Sequence, residues 1–221
     1  MGKIYNITID GPAGSGKSTI SKMVADALGI TNLDTGAMYR AVAVYVKSRG
    51  IDFNDTEKII SVLDDMDLKV ELDKGEQRTI VNGKEYKEEL RTPEMSQGSS
   101  IVCKIPAVRL KLVDLQREVA RAFSCTIEGR DTGSYVLPDA EFKFYLTADV
   151  DTRAKRRWLQ IRDKEDVTLE QVKADLIIRD ERDMSREMAP LCVPKNAFVL
   201  DSTNLTQEEV LNIILEEVKK G

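Results

Sequence analysis

A chain of 221 residues with 42% apolar and 32% charged side chains carries enough of each for a buried core and a solvated surface, which excludes wholesale disorder and an integral membrane protein. The net charge of −5 disfavours a bulk nucleic-acid binder, which would need a basic face. The sequence contains no histidine, so Ser-His-Asp triads, Cys-His dyads, H-E-x-x-H zinc sites and histidine general bases are excluded together.

The N-terminus has neither an apolar h-region nor a small-residue cleavage site, and Asn6 breaks the myristoylation pattern begun by Met1 and Gly2. Residues 4–9 alternate and are β-branched before Asp10-Gly11-Pro12, which predicts a strand ending in a loop. Ile20, Met23, Val24, Ala27 and Leu28 then recur at helical spacing, with Gly29 as the stop. A short strand near Asn32 and Leu33 leads into a helix on which Met38, Ala41, Val42, Tyr45 and Val46 share one face, ended by Gly50. After a helix over residues 56–63 the texture changes. Leu68, Val70 and Leu72 alternate, Lys74-Gly75 reads as a turn, and Asn82-Gly83 separates two further extended segments, a strong hairpin signal. A small antiparallel sheet over about residues 67–88 is expected, within an inserted subdomain bounded at 64–92.

Helical pattern resumes at 93–104 and 106–123, the second opening on proline near its first turn. Residues 126–128 and 142–146 read as buried strands, 149–161 and 168–184 as charged arginine-rich helices, 197–200 as a last strand and 207–219 as an amphipathic helix. Strands alternating with helices predict an α/β fold, with a parallel sheet covered on both faces. The three cysteines Cys103, Cys125 and Cys192 are odd in number and never spaced C-x-x-C, which suits reduced thiols in a reducing compartment. No apolar run approaches the ~20 residues of a bilayer span. A cytoplasmic monomer is expected, without nucleic-acid or membrane partners.

Gly11, Pro12, Ala13, Gly14, Ser15, Gly16, Lys17 and Ser18 match G-x-x-x-x-G-K-[ST] between the first strand and the first helix. In such a P-loop, backbone N–H groups and the helix N-terminus cradle a β-phosphate, Lys17 spans the β- and γ-phosphates, and the Ser18 hydroxyl can ligate Mg²⁺. The loop alone does not name the phosphoryl acceptor. No N-K-x-D guanine signature is present, and none of the predicted strands is an apolar run ending in adjacent acids of the Walker-B kind. Arginines instead accumulate at Arg40, Arg109, Arg130, Arg153, Arg156, Arg157, Arg179, Arg182 and Arg186, and their planar forks suit phosphate oxygens.

The segments 10–19 (DGPAGSGKST), 33–40 (LDTGAMYR), 128–133 (EGRDTG), 179–183 (RDERD) and 186–190 (REMAP) resemble those of bacterial cytidylate kinases, in the same order and nearly end to end. The resemblance includes the inserted sheet that sets these enzymes apart from shorter nucleoside monophosphate kinases. It implies a P-loop NTPase core with a five-stranded parallel sheet, a small antiparallel β subdomain and a helical lid at 150–186. The implied reaction is phosphorylation of CMP and dCMP by ATP with Mg²⁺; a kinase for UMP or a small metabolite is the alternative. Thr19 joins the P-loop residues at ATP, and Thr35, Tyr39 and Arg40 line the acceptor site, where Arg40 and Arg130 grip the monophosphate.

By the same resemblance Ser100, Arg109 and Asp131 meet cytosine. A carboxylate accepts from the N4 amine of cytosine but repels O4 of uracil, while arginine donates to O2 or N3. Arg179 and Asp183 hold the ribose and phosphate side, and Arg186 reaches the transferred phosphoryl. Arg153 and Arg157, at i and i+4, share a helix face for stacking on adenine and contacting ATP phosphates. Charge neutralisation falls to Lys17, Arg130, Arg157, Arg182 and Arg186. Asp34 reads equally as a helix cap or as a neighbour of Mg²⁺, and Arg156 and Arg162 equally as site or solvated surface. Thr132 and Ser134 depart from the family pattern beside Asp131.

Overall fold

A computed structural model describes residues 4–73, 76–163 and 166–220. Strands β1 (Asn6–Asp10), β2 (Thr31–Asp34), β6 (Cys125–Gly129), β7 (Phe142–Thr147) and β8 (Phe198–Asp201) form one sheet in the order β2-β6-β1-β7-β8. All four pairings are parallel. Such a sheet needs cover on both faces because its connections are crossover helices. Ile7, Ile9, Leu33, Ile127, Phe144 and Leu146 of its strands are each no more than 1% exposed. Helix α1 (Lys17–Leu28) and helix α8 (Gln207–Lys220) cover one side through Ile20, Val24, Val210 and Ile214. Helices α2 (Thr35–Ser48) and α5 (Pro106–Ala122) close the other core through Met38, Val42, Val108 and Leu112.

The inserted sheet is antiparallel, ordered β3 (Leu68–Asp73), β4 (Glu76–Val81) and β5 (Lys84–Tyr86). Its Asn82-Gly83 turn has φ of 49° and 79°, the two left-handed residues of a type I′ hairpin. The expected Lys74-Gly75 turn lies outside the described residues. Helices α3 (Thr56–Val62), α4 (Pro93–Val102), α6 (Val150–Ile161) and α7 (Leu169–Met184) complete the chain.

Two differences from the sequence reading are informative. Strand β1 runs through Asp10 instead of stopping at residue 9, because Asp10 still pairs with Gly129 and Tyr145 on either side. Residues 132–136 form a π-helical turn that periodicity did not predict. The buried Asp10 carboxylate accepts from the N–H groups of Thr132 and Gly133 and from the Thr132 hydroxyl, at 2.7–2.8 Å. That ties down the start of the turn from 122 residues away. Burial pushes Asp10 up to about 6 despite these three donors.

Candidate active site

The carboxyl ends of the parallel strands open into a cavity of about 530 Å³, the place where α/β sheets bind ligands. The P-loop forms one end. Gly11 is irreplaceable on steric grounds: its φ is 151°, and a Cβ there would stand 2.0 Å from the Leu146 carbonyl oxygen. Lys17 is 4% exposed and folds onto its own loop, donating from Nζ to the Pro12 carbonyl at 2.6 Å and the Ser15 hydroxyl at 3.3 Å. Burial, then the nearby Arg130 charge, lower its pKa to about 7. Arg179 is pushed down to about 10 by burial and by the same Arg130. Packing cations this closely is costly unless an anion joins them, so the electrostatics of the cavity fit a polyphosphate.

Ser18 donates from Oγ to Glu128 Oε1 at 2.8 Å, and burial raises the Glu128 pKa. Sequence reasoning assigned Glu128 no role. A signal was present, since the apolar Ile127 precedes an acid at the end of a strand, but a single acid escaped a search for adjacent ones. Thr35 donates to the Glu128 carbonyl at 2.8 Å, joining the start of α2 to the end of β6. Asp34 turns out to combine two functions: its carboxylate caps α2 by accepting from Ala37 N–H at 2.8 Å and pairs with Arg40 Nη2 at 2.9 Å.

At the opposite end Arg109, 1% exposed, is paired with Asp131, 6% exposed. Its guanidinium carbon lies 5.7 Å from the ring centroid of Tyr39. Burial pushes Asp131 up in pKa against the pull of Arg109 and Arg186. Ser100 lines the cavity and accepts from Arg182 Nη1 at 3.1 Å. Arg130 bridges the two ends, donating from Nε to Asp183 Oδ2 at 2.9 Å. Burial alone would raise Asp183, but Arg130, Arg186 and Arg179 hold its pKa low.

Arg153 and Arg186 stand apart from their expected positions. Arg153 and Arg157 do not present one shared surface. Arg153 lies beneath the P-loop, 8% exposed, donating to the carbonyls of Ala13 and Ala148 at 2.8 and 3.0 Å and pairing with Asp180. Asp180 in turn accepts from Ala13 N–H at 2.9 Å, so Arg153 and Asp180 grip both polar groups of one loop residue. Arg157 lines the cavity. Arg186 sits beside Asp131, 3.9 Å away, and contacts the Cys103 sulfur at 3.8 Å, at the end remote from the loop. Arg156, left open between site and surface, donates to the hydroxyl and carbonyl of Ser202 at 2.9 and 2.6 Å. With Ser202, Thr206 and Gln207 it walls a second hollow behind the P-loop, which no motif in the sequence announced.

A glycine-rich loop joining the central strand to its helix, with a buried lysine at the mouth of an arginine-lined cavity, defines a P-loop kinase architecture. Solved structures agree at the level of fold. Shikimate kinase from Acinetobacter baumannii superposes with a TM-score of 0.51 at 13% identity, covering 99% of this chain and 94% of that one. Shikimate kinase from Bacteroides thetaiotaomicron gives 0.50 at 15%, covering 99% and 100%. The chain belongs to the cytidylate kinase family, whose profile matches residues 7–220. It is 48% identical over 215 residues to the cytidylate kinase of Caldicellulosiruptor saccharolyticus, covering 97% of this chain and 95% of the relative. Identity to the cytidylate kinase of Thermotoga neapolitana is 42% over 218 residues, covering 98% and 97%.

Proposed function

We propose that the protein transfers the γ-phosphoryl group of ATP to CMP and dCMP, giving ADP with CDP or dCDP. The observation that carries this reading is one continuous cavity with Lys17 and the P-loop at one end and the Arg109–Asp131 pair behind the other. Family membership supports it. An oxygen of the acceptor phosphate attacks the γ-phosphorus in line while the bond to the β,γ-bridging oxygen breaks. The nucleophile is already ionised and needs no general base, consistent with a chain lacking histidine.

In this reading Lys17 exchanges its bonds to Pro12 and Ser15 for the β- and γ-phosphates, and Arg40, Arg130 and Arg179 surround the acceptor phosphate. Arg157 reaches the triphosphate. Arg153, bonded under the loop, positions the P-loop through Ala13, and Arg182 acts through Ser100. Arg186, beside Asp131, serves the base end in place of the transferred phosphoryl. Ser18 and Glu128 offer two hard oxygens at the mouth of the loop. Among the described residues no group of three or more His, Cys, Asp or Glu gathers for a metal. That donor set fits magnesium, which keeps waters and phosphate oxygens as most of its ligands. When bound, it supplies neutralisation of the phosphoryl oxygens.

A lid within 150–186 is also proposed, and the bonds that anchor parts of that segment support a narrower moving part. Within 150–186, Arg153 and Asp180 are bolted to Ala13, Arg156 to Ser202 and Asp183 to Arg130. The proposed moving part is therefore the distal ends of α6 and α7, about 157–163 and 166–171, short of Val172 and Leu176, which pack against Ala13. Spin-label distances from this segment to α1 should shorten by several ångströms on adding both nucleotides, whereas labels at 150–153 stay fixed; unchanged distances at both places refute the lid.

No helix among the described residues is long and apolar enough to cross a membrane; a cytoplasmic monomer acting on small nucleotides is the accompanying proposal. The test of function is ADP release from ATP with Mg²⁺ against CMP, dCMP, UMP, AMP and GMP. CMP and dCMP should exceed UMP by at least about a hundredfold in kcat/KM, the scale set by a mismatched buried polar group. Equal use of UMP would sink the cytosine assignment.

A further inference from the structure

Strand β2 is an edge of the parallel sheet, hydrogen-bonded to β6. Thr31 directs its N–H toward β6, reaching the Ser124 carbonyl at 3.2 Å. By the two-residue period of a strand, Asp34 is of opposite parity, and its N–H and C=O point away from the sheet. Those two groups meet a side chain of the inserted sheet instead of another strand. Asp34 N–H donates to Gln77 Oε1 at 2.7 Å, and Gln77 Nε2 donates to the Asp34 carbonyl at 3.2 Å. A carboxamide has the donor and acceptor of a peptide group, so Gln77 closes the edge as a neighbouring strand would. Its orientation is set by Thr79, two residues on and 2% exposed, whose hydroxyl also accepts from Nε2 at 3.3 Å.

What this latch holds is not passive. Asp34 Oδ2 pairs with Arg40 Nη2 at 2.9 Å, Asp34 Oδ1 caps α2, and Arg40 lines the cavity with its buried Nε unpaired. We infer that Gln77 is a positioning residue for the acceptor phosphate: by fixing the Asp34 backbone it aims the carboxylate that holds Arg40, linking the inserted sheet to the acceptor site. The inference rests on the acceptor reading given above, with Arg40 at the monophosphate.

The test uses the full-length protein and measures KM for CMP, KM for ATP and kcat between pH 5 and pH 8. Gln77→Ala should raise KM for CMP about tenfold, the cost of two neutral hydrogen bonds, while KM for ATP and kcat stay within about twofold. Gln77→Glu gives a readout that mere loss of structure would not. Protonated, its carboxyl still donates to the Asp34 carbonyl; ionised, it cannot donate and repels that oxygen. Facing the Asp34 carbonyl raises this carboxyl above the usual carboxylate range, so the ratio of its CMP KM to wild type should climb with pH and reach about tenfold or more at pH 8. A ratio flat across pH, or an unchanged CMP KM in Gln77→Ala, overturns the role of Gln77 alone. Wild-type protein with no CMP-dependent ADP release overturns the acceptor reading and this inference together.

Discussion

Lys17→Met should lose about two to four orders of magnitude in kcat while the folded protein becomes more, not less, heat-resistant. The catalytic half follows from the proposed reading, in which the P-loop lysine meets the charge on the transferred phosphoryl. The stability half follows from burial. Lys17 is 4% exposed, and burial with the Arg130 charge lowers its pKa from 10.5 to about 7. Between those values the unfolded chain binds a proton the folded chain does not, so stability rises with pH from about 7 to about 10.5. Below about 7 the folded protein carries the full cost of a desolvated ammonium. Methionine keeps the stem and removes the charge, so the melting temperature at pH 7 should rise by a few degrees and its pH slope above 7 should flatten. Calorimetry in buffers of differing ionisation enthalpy adds a check: ATP binding to wild type should take up a proton near pH 8, and binding to the variant should not. A lower melting temperature would show that the bonds to Pro12 and Ser15 outweigh the desolvation.

Asp131→Asn should have the largest combined effect on specificity and stability. Arg109 is 1% exposed and paired with Asp131; removing one member of a buried pair leaves an uncompensated charge, at about 3–5 kcal/mol. Arg186, 3.9 Å from the same carboxylate, loses a second counterion contact. Denaturant titration should show the loss as a lower midpoint with unchanged slope. For the substrate, the carboxamide can turn its NH₂ toward O4 of uracil, whereas the carboxylate could only accept from the N4 amine of cytosine. The CMP-to-UMP ratio of kcat/KM should fall by about a hundredfold or more. The double variant Arg109→Met with Asp131→Asn recovers stability if the buried charge is the cause, without recovering CMP preference. Retained CMP preference in the stable double variant would remove Asp131 from base recognition.

Much of the fold was legible because it is written in local periodicity. The β-branched run before Gly11, the helical spacing from Ile20 to Leu28 and the Asn82-Gly83 turn each specify their own backbone, and the structure places β1, α1 and a type I′ hairpin there. Lys17 and Ser18 were legible for the same reason: a P-loop is a contiguous stretch whose neighbours supply its geometry. The arginines were not. Their abundance predicted an anionic ligand, but Arg153 and Arg157 are equivalent by helical spacing, and only the position of Asp180 on another helix turns the first beneath the loop.

Sequence by itself therefore determined the class of fold, the nucleotide-holding loop and, through its resemblance, the family, all properties of segments whose meaning is local or collinear. Tertiary structure decided which charges face the cavity and which brace it. It paired Arg109 with Asp131, set Glu128 against Ser18, carried Arg186 beside Asp131 and brought Gln77 of the insert onto Asp34. The physical reason is that a charged side chain acts through partners set by burial and by strand order, and the partners here lie from 22 to 110 residues apart in the chain.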